Sequence, residues 1–81
     1  MGKLKYVIIR SEGFLKPIMF DSLLPHSMFQ NHKVESAGFV SFWADDDGEL
    51  QVQTWGRSDS LAVASALGDA DIIRKALTRN Y

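Results

Sequence analysis

The sequence predicts a single α+β domain, residues 1–81, with an antiparallel-rich sheet of about five strands, a short helix after the second strand and a C-terminal helix packed on one face. Three observations lead there. Runs of β-branched and aromatic residues recur between glycine-containing turns. Near the end of the chain the apolar period changes to that of a helix. The composition, 46% hydrophobic and 23% charged, is that of a chain that folds, far from the polar, highly charged balance of disordered segments.

Residues 4–10, LKYVIIR, are apolar on both parities at their centre, as expected of a strand covered on both faces and therefore central. Glu12-Gly13 supplies a turn, and residues 14–20, FLKPIMF, return as a second strand. Pro17 has no N–H, which confines that strand to an edge or a bulge. The stretch DSLLPHSMFQNHK suits a short helix starting near Pro25, with Leu24, Met28 and Phe29 along one side and Asn31 as its stop. A loop with buried apolar anchors reads the same residues almost as well.

Between residues 38 and 56, two apolar runs flank Asp46-Asp47-Gly48, which matches a three-residue hairpin loop: a type I turn followed by glycine in the left-handed region. That loop sets the register. Ala44 then faces Leu50, Phe42 faces Val52 and Val40 faces Thr54, an almost wholly apolar set for the core side. On the other side Phe39 opposes Trp55 and Trp43 opposes Gln51, with Ser41 and Gln53 between them. A two-residue Asp47-Gly48 turn would slip the pairing by one and set Gln51 and Gln53 among Val40, Phe42 and Ala44, a poorer partition.

In residues 57–65, RSDSLAVAS, Leu61 and Val63 alternate as in a strand while the alanines favour helix, and strand is the preferred reading. The last segment, GDADIIRKALTRN, is the best helix of the chain. Asp69 is its N-cap candidate, Asp71 lies in the first turn, and Lys75 and Arg79 lie towards the end, all in accord with the helix dipole. Ile72, Ile73, Ala76 and Leu77 form its apolar stripe.

The segments VESAGFV (34–40), GRSDSLAVAS (56–65) and DADIIRKAL (69–77) together resemble small uncharacterised proteins encoded by bacteriophages and prophages. The likeness covers roughly a third of the chain and includes no catalytic or ligand-binding fingerprint. It implies a phage-derived bacterial setting and a strand over residues 60–65, and it brings no activity with it. Ala62 and Ala64, and the missing proline before the last helix, depart from the pattern.

Composition sets bounds on function. Nine basic and ten acidic residues give a formal net charge of −1, so no global field draws the chain to nucleic acid or to an anionic membrane. The absence of cysteine removes disulfides, thiol catalysis and cysteine–zinc sites, and it fits a reducing compartment. The first residues, MGKLKY, carry no long apolar stretch, and Tyr6 stands where a myristoylation signal needs Ser or Thr. A cytoplasmic protein is the expectation.

Chemistry is poorly supported by spacing. His26 and His32 are six positions apart, which does not place both on one helix face, so they read as solvated surface histidines. The cluster Asp45, Asp46, Asp47 and Glu49 lacks the ligand spacing of a calcium loop. Ser22 and His26 are four apart, but Pro25 puts Ser22 ahead of the helix, where serine usually caps or turns. Ser58 and Ser60 flank Asp59 without a base fixed by sequence, and no nucleophile elbow, phosphate-binding loop or dinucleotide fingerprint is present. The expectation is a non-enzymatic chain with no cofactor and no metal.

Binding remains. Each large aromatic side chain buries about 150–250 Å², so Phe39, Trp43 and Trp55 on one sheet face amount to roughly 500 Å², at or above the largest apolar patch a monomer usually leaves open. Either the two helices or the surroundings of the first strand bury them as core, or another protein or a second copy covers them, with Gln53 and Arg57 as a polar rim. Single-stranded nucleic acid stacked on the same rings is the alternative. Charge opposes it, because only Arg57 is basic near the rings while four acidic residues stand at the adjoining loop. The basic residues cluster instead at Lys3, Lys5 and Arg10 on the first strand and at Arg74, Lys75 and Arg79 on the last helix.

Overall fold

The computed structural model describes residues 4–78. Strand β1 (Leu4–Ser11) turns at Glu12-Gly13 into β2 (Phe14–Asp21), and after a 3-10 turn at His26–Phe29 the chain forms β3 (Val34–Ala44) and β4 (Leu50–Trp55). Two two-residue strands, β5 (Arg57–Ser58) and β6 (Val63–Ala64), precede helix α1 (Asp69–Thr78). The fold class is α+β, as the sequence predicts.

The four long strands form one antiparallel sheet in the order β2-β1-β3-β4. β1 is therefore internal, as its doubly apolar pattern requires, and β2 lies at an edge. Antiparallel residues alternate between bonding across the ladder and away from it. Ser11 opposes Phe14 across a two-residue turn, so Phe14, Lys16, Ile18 and Phe20 bond to β1 while Leu15, Pro17 and Met19 face outwards. The missing N–H of Pro17 falls where no partner strand needs it.

The β3–β4 hairpin has the register its loop predicts. Phe39 opposes Trp55, Phe42 opposes Val52 and Trp43 opposes Gln51. Gly48 has φ +80°, and its N–H donates to the Asp45 carbonyl at 2.9 Å. Asp45 also ties the loop through its side chain: Oδ1 accepts from the Asp47 and Glu49 N–H groups and Oδ2 from Gln51 Nε2, each at 2.9 Å. Those donors, Gln51 foremost, hold its carboxyl below the ordinary carboxylate range.

Hydrophobic residues fill both sides of the sheet. On one side Tyr6, Ile8 and Val40 pack against Ile73 of α1, with Leu4, Met19, Val52, Ile72 and Leu77 around them. This bears out the stripe read from the helical period. On the other, Val7, Ile9, Phe20 and Ala37 pack with Ile18, Phe29, Val34, Leu61 and Val63. Each aliphatic side chain fully buried in these clusters is worth about 1.5–3 kcal/mol relative to exposure.

Four details correct the sequence reading. The sheet has four strands, and residues 57–65 form a separate two-stranded pairing of β5 with β6. Ala62, at φ +57°, bends that segment between its strands, so the Leu61/Val63 alternation does not continue as a fifth strand. The short helix is a single 3-10 turn; Phe29 packs on Phe20 at 5.0 Å between centroids, while Leu24 and Met28 are exposed. Finally, the Ile72 N–H donates to the Gly68 carbonyl, which makes Gly68 the flanking residue of α1 and Asp69 its first helical one. Asp71 sits in the first turn and pairs with Arg74 and Lys75 at 3.1 and 3.2 Å. Lys3 and Arg79 lie outside the described residues.

Gly38 is required by close approach. A Cβ built there would lie 2.4 Å from the Trp55 carbonyl oxygen, because the chain leaving β4 passes against β3 at this point. No side chain larger than hydrogen fits without moving that backbone.

Candidate aromatic binding face

The β3–β4 ladder brings the predicted rings to one face, and the structure then divides them. Phe39 stacks on Trp55, with centroids 6.1 Å apart and planes 25° from parallel. Its ring also lies against Gly56, where a Cβ would come within 2.8 Å of Cδ2. Phe39 and Trp55 are half-buried. Trp43 is 49% exposed, opposite Gln51 on the neighbouring strand. Gln53 and Arg57 are exposed, and Arg57 Nε pairs with Asp59 at 3.0 Å.

His26 is the residue that sequence reasoning misplaced. It is 6% exposed, where a solvated histidine was expected. Its ring stands edge-on to Phe20 at 5.5 Å and to Phe39 at 6.1 Å, and its Nε2–H donates to the Gly38 carbonyl at 3.0 Å. The imidazole thus continues the aromatic row from the buried Phe20 to the half-buried pair, and its single polar contact fixes where it sits. The available signal was its place inside the apolar run LLPHSMF. His32 is exposed and packs on Phe29 at 5.9 Å, so the two histidines serve different neighbours.

The electrostatics of the face are uneven. Asp46, Asp47 and Glu49 are exposed at the loop that follows Trp43. Lys5 Nζ donates to the Leu24 carbonyl at 2.9 Å, and Arg10 pairs with Glu35 at 3.4 Å. The face therefore presents flat apolar rings, amide side chains and net acidity, a surface that suits packing and hydrogen bonding more than phosphate capture.

A second polar cluster lies on the helix side. Tyr6 donates its hydroxyl to Asp69 Oδ2 at 2.5 Å, Ser36 donates to Oδ1 at 2.9 Å, and the Ala66 N–H donates to Oδ2 at 2.9 Å. All three side chains are buried, Tyr6 completely. Burial first, then the bond to Asp69 and its charge, pushes the Tyr6 hydroxyl well above its ordinary value near 10. The three groups are enclosed and mutually satisfied, so the cluster ties β1, β3 and α1 together and offers a substrate no approach.

Among the described residues no three His, Asp or Glu side chains gather as a metal site, and no helix is long and apolar enough to cross a membrane. Comparison with protein-family models, with curated proteins and with solved structures finds no match.

Proposed function

We propose that the chain is a small non-enzymatic accessory protein of the phage type that works by binding a protein, another chain or a second copy, through the face of Phe39, Trp43 and Trp55. Trp43 is the anchor, Phe39 and Trp55 are its rigid flank, and Gln53 and Arg57 are the rim. The supporting observation is the exposure of Trp43: an indole left 49% open on the sheet face that also carries, beyond Ser41 and Gln53, a stacked pair already held in place. Tryptophan is enriched among residues that dominate interface energetics, because one rigid side chain supplies a large contact area. Stacking of single-stranded nucleic acid on the same rings meets the acidic loop; of the nearby cations, Arg57 is paired with Asp59, and Lys5, opposite Phe39, donates to the Leu24 carbonyl.

A Trp55→Phe variant leaves Trp43 as the sole tryptophan. Its emission should be red-shifted and readily quenched by acrylamide in dilute solution, and should become protected when a partner binds. Trp43→Ser should remove that binding while shifting unfolding stability by less than about 1 kcal/mol, as at other exposed positions. Blue, shielded Trp43 emission from a dilute monomer, or collapse of the Trp43→Ser fold, would make Trp43 core and end the reading.

A further inference from the structure

The two edges of the sheet differ in a way that points to a partner. On β2 the outward row includes Pro17, which offers no donor to an incoming strand. On β4 the Asp45 N–H bonds to the Glu49 carbonyl at 2.9 Å, which fixes the alternation that follows. Gln51, Gln53 and Trp55 bond inwards to β3, and Leu50, Val52 and Thr54 turn their N–H and C=O outwards. Among the described residues nothing pairs with that row. The strand itself, LQVQTW, holds no charge and no proline, so it lacks the devices that usually guard an edge. Beside it lies an open groove of about 410 Å³, lined by Val52, Thr54 and residues 65–68, and Leu67 on its rim is fully exposed.

We propose that β4 pairs antiparallel with β4 of a second copy, about a two-fold axis at Gln53, to give one eight-stranded sheet. The proposal rests on the reading above that the chain binds a partner and takes a second copy as that partner, with the seam at the β4 edge beside the aromatic face and Trp43 on β3 outside it. Side chains opposite one another in a continuous sheet share a face, so residues of equal parity must meet. Centring on Gln53 sets Val52 against Thr54 of the second copy, both with outward backbone groups, and Gln51 against its Trp55. The ladder ends where the chain turns at Gly56, and there the Asp46, Asp47 and Glu49 tip of each copy arrives beside Arg57 of the other, whose solvent-exposed pair with Asp59 opens to meet it. Centring on Val52 would set Glu49 against the indole of Trp55, a poorer match. The dyad also joins the two aromatic faces, with Gln51 between Trp43 of one copy and Trp55 of the other.

Sedimentation velocity over a dilution series, with amide hydrogen exchange at each concentration, tests this on the whole chain. The expected result is a dimer in which the Val52 and Thr54 amides are protected and lose protection on dilution, while Gln51, Gln53 and Trp55 remain protected by β3. Gln53→Lys and Gln53→Glu, substitutions of an exposed side chain, should each weaken the dimer about tenfold or more by placing like charges on the axis, and an equimolar mixture should restore it. A monomer at every concentration, a dimer with Val52 and Thr54 still exchanging freely, or charge variants that fail to rescue each other overturns the seam. Pairing of β4 with an extended segment of a different protein would overturn the second copy as its occupant. The Trp43 measurement above is read separately, so loss of the seam and loss of the aromatic face are distinguishable.

Discussion

Asp69 carries more of this fold than its place at the start of a helix suggests. It accepts from a tyrosine of the first strand and a serine of the third, both out of water, and from the backbone of the preceding loop. Removing one donor leaves a buried carboxylate short of a partner, so Tyr6→Phe should cost about 1–3 kcal/mol in urea unfolding at neutral pH. The pH dependence has a definite sign. Because the folded hydroxyl titrates above its ordinary value near 10, its contribution is full below that pH and is lost as pH rises beyond it. The gap between wild type and Tyr6→Phe should therefore narrow above about pH 10. A gap that is constant or widening with pH would mean that the hydroxyl is not held neutral. None of this was legible beforehand: Tyr6 read as one apolar strand residue among several, and Asp69 as a cap for its own helix.

At the scale of elements, local chemistry decided most of the structure. Asp46-Asp47-Gly48 dictated a loop, the loop a register, and the register the two faces of β3–β4. The stripe of α1 likewise showed which side would be buried, and Ile73 at its centre is fully enclosed against Tyr6, Ile8 and Val40. Ile73→Ala should lower stability by about 2–5 kcal/mol in denaturant unfolding, the range for emptying a packed aliphatic site. A loss below about 1 kcal/mol would place the helix only loosely on the sheet. Residues 57–65 escaped the same reasoning, because the alternation of Leu61 and Val63 is compatible with one strand or with a bend at Ala62. Nothing intrinsic to alanine announces a left-handed backbone. The candidate face was legible as a set of rings. Its division into a stacked pair and an open indole was not, since that depends on where His26 lands after a loop with no periodicity of its own.

For the molecule as a whole, the sheet is a partition between two small cores, and only the helix side closes with a regular element. The other side is closed in pieces by the 3-10 turn and by Leu61 and Val63, leaving Trp43 at the margin. The cores use opposite faces of β1, β2 and β3, and the helix completes only one of them, so the order in which they form is a question of chain entropy. The Tyr6–Asp69 bond joins positions 63 residues apart, and Ser36–Asp69 spans 33. Contacts this distant in sequence form slowly relative to hairpin turns, because the loop they close must be ordered before they contribute. The expectation is that helix docking comes after the folding barrier, with the hairpins formed first. In a chevron experiment Tyr6→Phe should accelerate unfolding and leave the refolding rate nearly unchanged, whereas an equal slowing of refolding would put the docked helix in the transition state. On that outcome the carboxylate that ties the helix to the sheet acts as a latch on the lifetime of the native state, holding shut a structure whose assembly it does not hasten.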